Sequence, residues 1–305
     1  MLSFKLLSEE SFDEILDILS PVTADREITS DILGSFLDIA AEGCEVGVSA
    51  ISGELLVRIF DDGGYSFVYP IEIGEETDTD SALIALSEYS VREMIPFCLT
   101  DTPREEIDRI RALFPHTEAR AYDDDIDSFV VLIYSECDLI DEVPTVMGDG
   151  IVLDSITDLD TERYAELCRS EAVNRYWGYD FREDNADATD DYFLSVAMSE
   201  LSRGVALSLA IRECDGTELI GEAVIYGFDF RGGASFAIRL LPDYQGRGLG
   251  SSALSALIGV AREIGLMRLG TEIMLENKPS IKMTEKQLER LPDRDGKARF
   301  SISLR

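Results

Sequence analysis

Leu240-Leu-Pro-Asp-Tyr-Gln-Gly-Arg-Gly-Leu-Gly-Ser-Ser-Ala-Leu254 is the stretch that decides the fold. An apolar strand runs into Pro242, and a turn with glycines at 246, 248 and 250 follows. A helix is then expected over 250–265, with Leu254, Leu257, Ile258, Ala261 and Ile264 on one face. Glycine lets backbone come close to a ligand, and the first turn of a helix points unpaired N–H groups at the same place. A pyrophosphate is the guest such a turn accepts. No Lys-Ser/Thr follows the glycines, which sets the turn apart from a P-loop. It lies deep in the chain, follows hairpin-type strands and has no clear strand-end acid for a ribose, unlike a dinucleotide-binding unit.

Outward from this turn the pattern is mixed. Strands are expected at 151–153, 206–212, 219–228, 234–241, 268–275 and 298–304, and helices at 161–170, 191–201 and 280–290. The first half has the same texture. Helices fit 12–19, 31–41, 81–94 and 102–114, the last with Thr102 as N-cap and Pro103 in its first turn. Strands fit 46–51, 55–60, 65–73, 95–99 and 129–134, with turns at Ser52-Gly53 and Gly63-Gly64. Pro144, Gly148 and Gly150 break any apolar period over 141–150. A chain of 305 residues is long enough for two domains, and the break divides it into 1–142 and 146–305. The expected class is α+β, two tandem domains, each a twisted and mostly antiparallel sheet flanked by helices.

Charge narrows the function classes. Acids outnumber bases 61 to 27, a formal net charge of −34. That argues against a broad basic surface for nucleic acid and against electrostatic docking on an anionic membrane. The imbalance is uneven: residues 1–145 hold 34 acids and 8 bases, whereas residues 239–305 hold 12 bases and 8 acids. A basic island of this kind focuses an anionic ligand. No window reaches about 18 uninterrupted apolar residues. Met1-Leu-Ser-Phe-Lys-Leu-Leu-Ser-Glu-Glu turns acidic too early for a signal peptide. The five cysteines, 44, 98, 137, 168 and 214, are scattered and form no C-x-x-C. A reducing cytoplasm is therefore expected, with no disulfide framework and no metal site. His116, the only histidine, sits in a Phe-Pro-His-Thr turn, which is poor ground for a Ser-His or Cys-His enzyme.

Gln245-Gly-Arg-Gly-Leu-Gly250 resembles the acyl-CoA-binding motif Gln/Arg-x-x-Gly-x-Gly/Ala of GNAT N-acetyltransferases. A helix, the strand Leu269-Gly-Thr-Glu-Ile-Met-Leu-Glu and then Asn277-Lys-Pro-Ser-Ile-Lys-Met-Thr-Glu-Lys286 follow in the family's order. Ser170-Glu-Ala-Val-Asn-Arg-Tyr-Trp177 resembles the ribosomal-protein-alanine acetyltransferase branch. The likeness covers about residues 150–305 and implies acetyl-CoA as acyl donor. It places the pyrophosphate on the N–H groups of Arg247, Gly248, Leu249, Gly250 and Ser251, with Gln245 and Gly246 in the same turn. An N–H near Leu240 or Leu241 is implied as oxyanion donor, and Asn277 as a residue that orients the pantetheine or a water. Many relatives carry a tyrosine where Thr284 stands and a glutamate where Ser235 stands. Glu222 and Glu272 are the remaining candidate bases, and Ser280 a candidate proton relay. Arg175, Tyr176 and Trp177 fall where the family forms its acceptor rim, and the acidic run Glu183 to Asp191 is suited to a cationic amine.

Gly64-Tyr-Ser-Phe-Val-Tyr-Pro70, Pro96-Phe-Cys-Leu-Thr100 and Ala121-Tyr-Asp-Asp-Asp-Ile-Asp-Ser128 resemble half of a tandem GNAT unit, as in aminoacyl-phosphatidylglycerol synthase-type C-terminal domains. The first half lacks the glycine motif and is read as a degenerate GNAT-like domain. Acetyl transfer from acetyl-CoA to a small-molecule or peptide amine is the expected activity. An acyl-CoA-binding sensor or scaffold without turnover is the alternative. An aminoacyl-tRNA-dependent transferase fits the charge poorly.

Overall fold

The computed structural model describes residues 2–21, 23, 25–60, 66–74, 77–93, 97–121, 128–178, 185 and 187–305. The Gly63-Gly64 turn, the start of the 95–99 strand, the acids at 123–125 and those from Glu183 to Asp184 lie outside them. The chain forms two compact units, Met1–Tyr134 and Ser135–Arg305. The division precedes the expected 142 because Cys137, Ile140 and Val143 pack into the core of the second unit.

In the first unit, β1 (Lys5–Leu6), α1 (Phe12–Leu19) and α2 (Arg26–Ala41) lead to a meander of β2 (Glu45–Ile51), β3 (Glu54–Phe60) and β4 (Ser66–Glu72). Then come α3 (Thr79–Glu93), β5 (Phe97–Pro103), α4 (Ile107–Leu113), β6 (Thr117–Ala121) and β7 (Ser128–Ile133). Asp25 starts α2 earlier than its apolar spacing suggests, because its carboxylate accepts from the N–H groups of Glu27 and Ile28. Ser52 and Gly53, both at positive φ, turn β2 into β3. The segment expected to open a helix at Thr102 continues β5 to Pro103, since Thr102 pairs with Phe129. β6 has no strong alternation and was not expected. Leu33, Leu55, Val57 and the α1 face Ile15, Leu16 and Leu19 form the core.

The second unit holds β8 (Val146–Met147), β9 (Ile151–Ser155), α5 (Thr161–Arg169), α6 (Glu171–Asn174) and α7 (Asp190–Ser202). These are followed by β10 (Ala206–Glu213), β11 (Gly221–Tyr226), β12 (Gly233–Leu240) and α8 (Leu249–Glu263). β13 (Arg268–Met274), α9 (Lys278–Thr284), β14 (Glu289–Arg294) and β15 (Lys297–Ser303) complete it. The expected helix over 280–290 is thus corrected to a short helix and a strand. Glu289 and Arg290 pair with Ser301 and Phe300 of β15, and Asp295-Gly296, both at positive φ, close the β14–β15 hairpin.

The sheets run β1-β2-β3-β4-β5-β7-β6 and β14-β15-β13-β12-β11-β10-β9-β8. Set β8 aside and read the second from its other end, and the two orders are identical. Each has one parallel pair, β4 with β5 and β12 with β13; the other pairs are antiparallel. The repeat lies in the topology: both halves are α+β units with the same wiring.

Alternation along the strands puts a different layer on each face of the second sheet. Leu209, Ile211 and Phe236 meet Leu254, Leu257 and Ala261 of α8 on one face. Ala210 and Leu219 meet Leu167, Phe193 and Leu194 of α5 and α7 on the other. Full burial of each such leucine or phenylalanine contributes about 1.5–3 kcal/mol.

Candidate active site

β12 and β13 are paired over only Gly233–Arg268, Ala234–Leu269 and Ser235–Gly270, after which they part. The rest of β12 leans on β11 alone. Leu241 donates its N–H to the Ile220 carbonyl at 2.9 Å, on the β11 side. Backbone groups alternate edges along a strand, so Phe236, Ile238 and Leu240 aim N–H and C=O into the opening. Of the two expected oxyanion donors, Leu240 is the one that faces the split, and Leu241 is spent. The Gln245 side-chain amide donates to the Leu240 carbonyl at 2.9 Å, tying the turn to the strand end.

After the short turn Pro242–Tyr244, Gly246 and Gly248 take φ of 72° and 87°. A Cβ at either would meet no atom within 4 Å, so the turn opens onto free space. Gly248 is the N-cap of α8. The N–H groups of Ser251 and Ser252 already return to the Gly248 carbonyl, at 3.0 and 3.3 Å. The N–H groups for an anion are therefore those from Arg247 to Gly250, one residue fewer than expected at Ser251. Gly250 has a packing reason: a Cβ there would lie 3.2 Å from Met283 Sδ of α9. Leu249 packs on the core. The Arg247 guanidinium pairs with Glu213 at 2.6 Å and lies 5.4 Å from the Tyr244 ring centroid.

The candidate bases differ sharply. Glu222 is 2% exposed. Arg239 Nε donates to it at 2.7 Å, and the Tyr164 hydroxyl donates to its other oxygen at 2.7 Å. A carboxylate so enclosed cannot reach an acceptor, which corrects its reading as a base. Glu272 is exposed on β13 and lines a cleft of about 470 Å³ with Ser235, Gly270, Thr271, Leu291, Arg299 and others. Arg294 and Arg299 approach it at 3.3 Å and Lys297 at 3.7 Å. Ser235, Gly270 and Ser301 lie side by side across β12, β13 and β15, so the cleft has a floor of small side chains.

Asn277 caps α9, its side-chain oxygen accepting from the Ser280 N–H at 3.3 Å. Ser280 is thus in the first turn of α9, away from the glycine turn in sequence but on the next connection along the sheet. The rim residues divide as well. Arg175 lies 5.1 Å from the Tyr176 ring centroid, and both are accessible. Trp177 instead covers Arg239, whose guanidinium carbon is 4.3 Å from its ring centroid. Arg239 is the residue that sequence reasoning missed. A lone arginine on a strand before a glycine turn reads as solvated, and nothing local marks it as buried. Among the described residues no group of three or more His, Cys, Asp or Glu side chains is arranged to hold a metal. No described helix is long and apolar enough to cross a membrane.

Residues 151–287 match the acetyltransferase (GNAT) domain family. A Bacillus subtilis protein named as the uncharacterised N-acetyltransferase YoaA is 24% identical over 139 residues, 45% of this chain and 77% of its own length. A GNAT-family acetyltransferase from Bacillus anthracis aligns at 15% identity and TM-score 0.44, over 53% of this chain and 99% of its own. Spermidine N-acetyltransferase from Vibrio cholerae, solved with CoA and spermine, aligns at 13% identity and TM-score 0.44, over 51% and 96%.

Proposed function

Because residues 151–287 match the acetyltransferase (GNAT) domain family, we propose that the protein transfers the acetyl group of acetyl-CoA to a primary amine. The glycine turn carries this reading: two positive-φ glycines with open space beside them, at the head of α8 and beside the parting of β12 and β13. The pyrophosphate rests on the N–H groups of residues 247–250. The pantetheine arm follows the open edge of β12, pairing with the backbone of Phe236 and Ile238. The thioester oxygen meets the Leu240 N–H, which takes up the negative charge that develops there.

The acceptor approaches from the face opposite α8, past Arg175 and Tyr176. Its nitrogen attacks the carbonyl carbon, the C–N bond forms, the C–S bond breaks, and CoA leaves as thiolate. The amine proton passes to water or, through water, to Glu272; the thiolate takes its proton from solvent. Ser280, in the first turn of α9, and Asn277, which caps it, are the residues assigned to orient the pantetheine or a water in this reading. A cytoplasmic setting belongs to this reading, supported by a CoA donor and by cysteines that form no C-x-x-C. Binding without turnover is the competing reading, favoured by Ser235 and Thr284 at positions where relatives often carry an acid and a phenol.

Calorimetric titration with acetyl-CoA, beside a Gly248→Asp variant, tests the site. The aspartate puts bulk and negative charge where the pyrophosphate is assigned, so micromolar binding is expected to vanish in the variant. An unchanged affinity sinks the site. Steady release of free CoA with an amine panel separates the enzyme from the sensor.

A further inference from the structure

Beyond Ser235, β12 has lost one of its two neighbouring strands, yet it must hold Leu240 in one place for its N–H to serve. Arg239, the residue before it, ties this stretch to the strand it keeps and to the helices that cover that face. Its guanidinium pairs with Glu222 of β11 at 2.6 Å, with both side chains 3% exposed. It also donates to the Asn174 side-chain oxygen of α6 at 3.0 Å and to Cys168 Sγ of α5 at 3.3 Å. The indole of Trp177 closes over it. Asn174 is itself fixed, its amide donating to the Cys168 carbonyl. One side chain therefore joins β12, β11, α5, α6 and the segment that carries Arg175 and Tyr176.

We propose that Arg239 is a positioning residue for acetyl transfer: it holds the Leu240 N–H at the β12–β13 split and fixes the Trp177 segment beside it. This rests on the acetyl-transfer reading, and it assigns to the Arg239–Trp177 contact a role that a buried ion pair alone does not have. Arginine suits it because a planar guanidinium can stack on the indole while its edge donates to several acceptors, which an ammonium cannot do. An acceptor that presses on Arg175 or Tyr176 then acts on the strand that carries the oxyanion donor.

Trp177 is the only tryptophan, so its emission reports this contact directly. The test uses the full chain as wild type, Arg239→Lys and Trp177→Phe, the last at a partly exposed position. Acetyl-CoA affinity by calorimetry and CoA release from acetyl-CoA with water as the acceptor are measured for all three, and tryptophan emission for the wild type and Arg239→Lys. In Arg239→Lys the emission is expected to move to the red and CoA release to fall about tenfold or more, with affinity within about threefold. Trp177→Phe is expected to lower release less, because a phenyl ring still covers the guanidinium. Unchanged release in both variants overturns the proposal, as does loss of affinity in step with loss of release, which would make Arg239 structural only. A wild type that binds no acetyl-CoA instead defeats the acetyl-transfer reading, while the emission change still tests the contact.

Discussion

Arg239 and Glu222 form an ion pair 2.6 Å apart with both side chains 3% exposed, bridging β12 and β11 on the face that α5 and α7 cover. Removing one charge from such a pair leaves the other buried and uncompensated. Glu222→Gln is therefore expected to lower stability by about 3–5 kcal/mol. Denaturant unfolding measures this. A variant that kept its stability and lost turnover would return Glu222 to the role of base.

The first unit is expected to bind no acetyl-CoA, although its sheet has the same wiring. β4 and β5 also part after three pairs, Ser66–Phe97 to Val68–Leu99. The segment into α3 is Ile73-Gly-Glu-Glu-Thr-Asp78, with acids where the second unit has glycines. The Asp78 carboxylate caps α3, accepting from the Ser81 hydroxyl at 2.6 Å and its N–H at 3.1 Å. Those hydrogen bonds hold its pKa below the ordinary value, so a fixed negative charge stands where a pyrophosphate would go. Calorimetry should give one acetyl-CoA per chain, and none in Gly248→Asp. A stoichiometry of two would contradict this.

Arg212 grips Asp160 with two nitrogens, at 2.7 and 2.8 Å, and reaches Asp154 at 2.8 Å. Burial works to raise the Asp160 pKa, but Arg212 and the Thr157 N–H outweigh it and the net shift is downward. A carboxyl held low in the fold adds stability above the ordinary carboxylate range and loses it as pH falls through the lowered value. At Asp154 burial wins over the same guanidinium and the shift is upward, so that residue offsets part of the gain. Asp160→Asn should cost about 1–3 kcal/mol at pH 7. Its gap to wild type should narrow below about pH 4. Unfolding curves at the two pH values decide; a constant gap would refute the charge-based account.

Cys44 and Cys214 are exposed, while Cys98, Cys137 and Cys168 are buried. Burial pushes the Cys137 thiol up to about 12. It pushes Cys168 up to about 11 even with Arg239 alongside. Thiolate is the reactive form, so a maleimide at neutral pH should label two cysteines in the native protein and five after denaturation. Native labelling of Cys168 would mean that the α5 layer opens over Arg239.

Local sequence determined the elements whose causes are local. The apolar spacing of Phe12–Leu19 gives α1, and Pro242 with Gly246 and Gly248 ends a strand, turns the chain and starts α8. Those residues restrict or free their own backbone, so the turn is legible without neighbours. The β14–β15 hairpin was written in Asp295-Gly296 but masked by a helix-like run of charges. Tertiary structure alone decided the rest. That β12 parts from β13 after Ser235, that Leu240 and not Leu241 faces the opening, and that Arg239 lies beneath Trp177 depend on residues distant in the chain. Strand register and the burial of a charge are set by which segments pack together, and a chain read in order carries no local sign of either.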